Sequence, residues 1–158
     1  MKENTCCFTG HRTISPYDYE KLKISLQKTI IELVNNDVTK FLCGGALGFD
    51  TIAAETVISL RSISPKIRLI MVYPCKNQFA YWTDKDIQIY NYIKNNCDEY
   101  LYISENYNKC CMFERNRYLV DCSSHCICYL NKNNGGTAYT VNYAQKRGLS
   151  IINLAEIK

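Results

Sequence analysis

Short apolar runs alternate with amphipathic stretches along the whole chain, and this alternation restricts the fold more than any other feature. Thr5–Thr9, Lys40–Cys43, Ile67–Tyr73, Glu99–Ile103, His125–Leu130 and Ser150–Leu154 read as strands. Ile67–Tyr73 is almost wholly apolar, as a strand buried on both faces must be. Between the strands lie helical stretches. The first opens at Ser15-Pro16, with Ser15 as N-cap, Pro16 at the first position and Asp18 in the first turn. It carries Tyr19, Leu22, Leu26, Ile30 and Leu33 at helical spacing and closes at Asn35-Asn36. The others are predicted over Ala46–Leu60, from Thr83-Asp84 to Asn96, over Cys110–Asp121 and over Ala138–Arg147, where Gly148 caps. Pro74 is expected to end the third strand. Strictly alternating elements predict an α/β, Rossmann-like three-layer fold: a mostly parallel sheet, helices on both faces and right-handed crossovers.

At 158 residues the chain reads as a single domain, 1–158. Nineteen basic residues against 15 acidic leave a net charge of +4 without a basic run. An anionic small ligand suits that balance; nucleic acid is allowed but not favoured. No segment has the apolar length of a membrane span and the N-terminus lacks a signal-peptide core, so no membrane partner is expected. Ten cysteines without a secretion signal read as reduced thiols of a cytoplasmic protein. Cys122, Cys126, Cys128 and His125 are of metal-ligating type, but no CxxC pair occurs, and no metal or other cofactor is expected.

In a parallel sheet, ligands bind beyond the carboxyl ends of the strands. Four segments fall there: Thr9–Arg12, Gly44–Asp50, Pro74–Trp82 and Asn133–Thr137. Gly44, Gly45 and Gly48 stand before one helix, Gly135, Gly136 and Thr137 before another. Backbone N–H groups at a helix start are unpaired and partly positive, which suits a phosphate. The spacing is neither a P-loop nor GxGxxG. Thr9, Gly10, His11 and Arg12 follow the first strand; His11 can bond a ribose or base, and Arg12 and Arg115 can fork a phosphate. Asp50 either reaches the ligand or stabilises its helix N-terminus, and Glu55 lies one to two turns further in. Tyr81 and Trp82 can stack on a base or pack as a lid.

These segments carry a family likeness. Phe8-Thr9-Gly10-His11-Arg12, Gly44-Gly45-Ala46-Leu47-Gly48-Phe49-Asp50, Cys111-Met112-Phe113-Glu114-Arg115-Asn116 and Gly135-Gly136-Thr137 resemble, in order, the YpsA-like branch of the SLOG superfamily. The resemblance implies a Rossmann-like domain that binds a nucleotide or nucleotide-derived ligand. Gly44–Asp50 is similar to the glycine loop of DNA-processing protein A, which binds single-stranded DNA. Met112–Thr137 is similar to the Lonely Guy phosphoribohydrolases, but with departures. Asn116 stands for that pattern's lysine and Asn134 for its proline, while Val141 falls where a catalytic glutamate belongs and neighbouring Asn142 supplies no carboxylate either. Asp50 and Glu55 from the other glycine loop are candidate replacement acids. The expectation is therefore a binding protein, a sensor or regulator, with a nucleotide-processing N-glycosidase or a single-stranded DNA binder as alternatives. Its site would comprise Thr9, Gly10, His11, Arg12, Gly44, Gly45, Gly48, Asp50, Arg115, Asn116, Gly135, Gly136 and Thr137. A homo-oligomer is allowed.

Overall fold

The computed structural model describes residues 2–156. Six strands form one fully parallel sheet: β1 (Thr5–Gly10), β2 (Lys40–Cys43), β3 (Arg68–Cys75), β4 (Glu99–Ser104), β5 (His125–Tyr129) and β6 (Ser150–Asn153). Their order is β4-β3-β2-β1-β5-β6. Helices α1 (Tyr19–Asn35), α2 (Phe49–Leu60), α3 (Asp84–Asn96), α4 (Cys111–Asp121) and α5 (Gly136–Lys146) connect them. The chain builds outward from β1 to β4, then crosses the whole sheet through α4 to start β5 on the other side of β1. A topological switch point results between β1 and β5.

Period-two alternation sorts the strand residues into two cores. Cys6, Phe8, Phe41, Leu69, Met71, Tyr73 and Ile127 pack with α1, α2 and α3. Cys7, Leu42, Val72, Cys126 and Cys128 pack with Leu119 and Val120 of α4 and Val141 and Ala144 of α5. The vicinal pair Cys6-Cys7 thus serves both layers with one residue each.

Several boundaries differ from the sequence expectation. Pro16–Asp18 form a turn, with Asp18 N–H donating to Ser15 O at 2.9 Å, so α1 begins only at Tyr19 and Asp18 is its N-cap. Ser15 accepts instead from Tyr17 N–H at 3.3 Å. Helix α2 starts at Phe49 and not at Ala46, because Gly45 and Gly48 take φ of +74° and +77°, outside right-handed helix. Pro74 does not end β3, which continues to Cys75, paired with Ser104. By that point β2 has already ended, Cys43 lying opposite Met71, so the missing N–H costs no ladder bond on that side. In α3, Thr83 caps as expected, accepting from Asp86 N–H at 3.2 Å.

Gly48 fixes how the loop after β1 crosses α2. A Cβ there would lie 2.2 Å from the Arg12 carbonyl oxygen. One residue on, Phe49 N–H donates to His11 O at 3.1 Å, so backbone meets backbone with no room for a side chain. Gly48→Ala should cost about 2–4 kcal/mol from the left-handed φ and the clash together. At Gly136, where a Cβ would meet nothing within 4 Å, alanine should be neutral or stabilising by up to about 1 kcal/mol. Urea midpoints of the two variants make the comparison, and equal values would refute this account of Gly48.

Candidate functional site

An open cleft of about 280 Å³ lies at the switch point. The loop after β1 supplies Thr9, Gly10, His11 and Arg12; α4 supplies Met112, Phe113, Arg115 and Asn116; the α5 entry supplies Asn134, Gly135, Gly136 and Thr137. Ala46 completes the lining. Two arginines and no carboxylate line it among the described residues, so the charge of its lining is positive.

Arg115 sits in its floor, 4% exposed. The buried stripe of α4 runs Cys111, Arg115, Leu119 at i, i+4, i+8, so Arg115 shares the face that packs on the sheet. A guanidinium buried this deeply needs partners. Its Nη1 donates to the Gly44 carbonyl. Its Nε donates to Asn116 Oδ1 at 2.7 Å, which orients the fork, and Nη2 lies 3.7 Å from Met112 Sδ. Burial pulls the Arg115 pKa down while the Asp50 carboxylate pushes it up. Gly44 is glycine because a Cβ would stand 2.6 Å from Nη1.

The two glycine loops do different work. In the first, polar groups turn inward. Ala46 N–H donates to Asp50 Oδ2 at 3.2 Å, Thr51 Oγ1 to Ala46 O at 3.1 Å and Gln78 Nε2 to Gly45 O at 3.2 Å. Gly44, Gly45, Gly48 and Asp50 do not line the cleft; they seat Arg115, Tyr73 and the Arg12 backbone. In the second loop Gly135, at φ +94°, hands over directly to α5, which starts at Gly136 and not at Ala138. Neither Gly135 nor Gly136 has a neighbour a Cβ would touch. No side chain caps the start of α5, and Gly135, Gly136 and Thr137 line the cleft, an arrangement suited to anions at helix N-termini.

His11 lines one wall. Its Nε2 accepts from Asn131 N–H at 3.0 Å, so the ring proton of the neutral form sits on Nδ1. Partial burial, and then Lys132, lower its pKa. The other expected residues lie elsewhere. Glu55 faces a neighbouring groove with Tyr19 and Ile52, and burial raises its pKa. Tyr81 is 100% exposed, and Trp82 packs edge-on to Tyr90 at 5.8 Å; neither lines the cleft. Val141 points into the core and Asn142 is exposed. Cys122, Cys126, Cys128 and His125 make no group of three or more metal-ligating side chains among the described residues. Ala46, Met112, Phe113 and Asn134 are lining residues the site expectation omitted. Each lies inside or beside a motif segment, and position in the motif was the one signal that could have included them.

Asp50 is buried with Oδ1 unpartnered. Burial pushes its carboxyl up to about 6 from an ordinary 3.8, against Arg115, the Ala46 N–H and Arg12, which pull it down. Because folding raises this pKa, the native state keeps a proton that the unfolded chain releases between those two values. The linked stability is complete below the unfolded pKa and is lost as pH rises through the folded one, a loss of about 3 kcal/mol. Denaturant midpoints should fall from about pH 4 to about pH 7, and Asp50→Asn should remove that part of the fall. An unchanged pH dependence in the variant would assign it to other groups.

With fold and cleft described, similarity to known proteins can be placed on them. A family model described as the YspA SLOG family matches residues 7–152. The uncharacterized SPbeta prophage-derived protein YoqJ of Bacillus subtilis is 30% identical over 139 residues, covering 80% of this chain and 81% of YoqJ. A UPF0398 protein of Halalkalibacterium halodurans is 28% identical over 129 residues, 80% of this chain and 68% of that protein. Among solved structures, DNA processing protein A from Helicobacter pylori, described for its single-stranded DNA binding mode, superposes with a TM-score of 0.65 at 26% identity. The match covers 93% of this chain but 63% of that one. The Streptococcus pneumoniae DNA processing protein A shares the fold with a TM-score of 0.67 at 19% identity, over 95% of this chain and 50% of its own. The present chain thus spans between half and two thirds of these neighbours. No helix among the described residues is long and apolar enough to cross a membrane. With four motif segments in order and the family match running from β1 to β6, the chain belongs to the YspA SLOG family.

Proposed function

We propose that the protein binds a nucleotide or nucleotide-derived ligand through its phosphate, in the cleft at the switch point, and acts as a ligand-responsive sensor or regulator. One observation carries this reading: a carboxylate-free cleft combines Arg12, Arg115 and the open N-terminus of α5. A phosphate there receives backbone N–H donors from Gly136 and Thr137, the positive end of the helix dipole and an arginine already oriented by Asn116. Family membership agrees with a nucleotide-related ligand. Ten free cysteines among the described residues are the reason for assigning the protein to the reducing cytoplasm.

Cleavage of an N-glycosidic bond would need a carboxylate near the sugar. Asp50 is buried and borders a separate small pocket beside Tyr73 and Trp82, and Glu55 opens into another groove, so no acid lines the cleft. Single-stranded DNA binding is the second reading, favoured by the Helicobacter pylori neighbour alone.

Thermal shift against a panel of nucleotides, cyclic dinucleotides and oligonucleotides tests the proposal. A ligand at a hundred times its dissociation constant should add about 2.7 kcal/mol of stability. Gly136→Glu, which sets a carboxylate in the cradle, should abolish the shift while leaving the fold intact. No shift with any phosphate compound would end this reading. Chromatography after incubation with nucleoside monophosphates should show no release of free base; turnover in the usual range of about 1–10³ per second would establish an enzyme instead.

A further inference from the structure

Phe113 is the one large apolar side chain that lines the cleft and still faces solvent, at 43% exposed. It lies off the Cys111–Arg115–Leu119 stripe, so packing α4 on the sheet does not require it. Its ring meets Tyr139 of α5 at 5.0 Å between centroids and 78° between planes. Tyr139 is held in turn: its hydroxyl accepts from Arg117 Nη1 at 3.4 Å. In an edge-to-face pair one ring offers its edge, so at least one face of Phe113 is left clear of Tyr139. Arg115, 4% exposed, occupies the floor of the same cleft, and Phe113 its mouth. Exposure thus orders the two recognition elements, cation within and aromatic face without.

Building on the phosphate reading above, we propose that Phe113 is the platform on which the ligand's base stacks, and that the ligand enters phosphate first. The cleft then takes nucleotides that present a terminal phosphate. Purines and pyrimidines are both accepted, because a stacked ring is read by its π-face and not by its hydrogen-bonding edge. A nucleic-acid strand enters only by a phosphorylated end, since the floor lies deeper than the stacking surface.

Calorimetry with adenosine monophosphate, uridine monophosphate and inorganic pyrophosphate tests this on the wild type, Phe113→Leu and Phe113→Trp. Leucine keeps an apolar contact with Tyr139 but cannot stack. It should weaken both nucleotides about 5- to 100-fold and leave pyrophosphate unchanged, while tryptophan restores nucleotide binding. An equal loss for all three ligands would overturn the proposal, since Phe113 would then only brace α4 against α5. Nucleotide affinity indifferent to leucine would overturn it too. If wild type binds pyrophosphate but neither nucleotide, the platform fails and the phosphate site stands; if wild type binds none of the three, both fail. Competition by oligothymidylate carrying a terminal phosphate, and none by the same strand ending in hydroxyl, is expected. Equal competition by both would refute phosphate-first entry.

Discussion

One buried guanidinium sets much of the geometry at the carboxyl end of the sheet. Arg115 comes from α4 on one face and binds the Gly44 carbonyl at the end of β2, beside the α2 start that packs on the other face. A charge with so little solvent is costly unless it is hydrogen-bonded and countered. The main chain and Asn116 provide the bonds, and Asp50 the counter-charge. Compensation is incomplete, because the Asp50 carboxyl is still pushed up to about 6 by burial. Gly44 must remain without a side chain for Arg115 to pass, and Gly48 must do so for the Arg12 backbone to cross. The first glycine loop is thus shaped by what packs against it.

That explains why two loops with similar composition differ in function. In the first, N–H and C=O groups are engaged by Asp50, Thr51, Gln78, His11 and Arg115. In the second, the glycines adjoin empty space and the helix start is open. Both patterns read as glycine before a helix, and only the neighbours tell them apart. A phosphate needs the second kind, while the first places the arginine that would meet it.

The strands were legible to within one or two residues, because an apolar run such as Ile67–Tyr73 can be buried only inside a covered sheet. Parallel α/β order followed from alternation alone. Helix starts were less legible: Ser15-Pro16 looks like a cap, but the chain spends Pro16–Asp18 in a turn, and only φ reveals that Gly48 delays α2. Pro74 was misread because the length of the neighbouring β2 is not written near it. Arg115 was named from its motif, yet its burial was hidden, because the carbonyl that helps make burial tolerable comes from Gly44, far away in sequence. Phe113 was passed over within a quoted motif, since an aromatic in a helix reads first as core.

The candidate replacement acids, Asp50 and Glu55, stand outside the cleft. In this cleft the helix dipole and two arginines favour negative charge, and no carboxylate lines it to stabilise an oxocarbenium centre. The position that could have carried an acid on α5 is split between Val141, committed to the core with Leu119 and Cys126, and Asn142, turned to solvent. Asp50 would have to leave Ala46 N–H, and Arg115 the Gly44 carbonyl, before the carboxylate could face a ligand. Moving it would strip a buried cation of its counter-charge and unseat the first glycine loop. The interaction that builds the floor of the cleft is therefore also what holds Asp50 in place away from it.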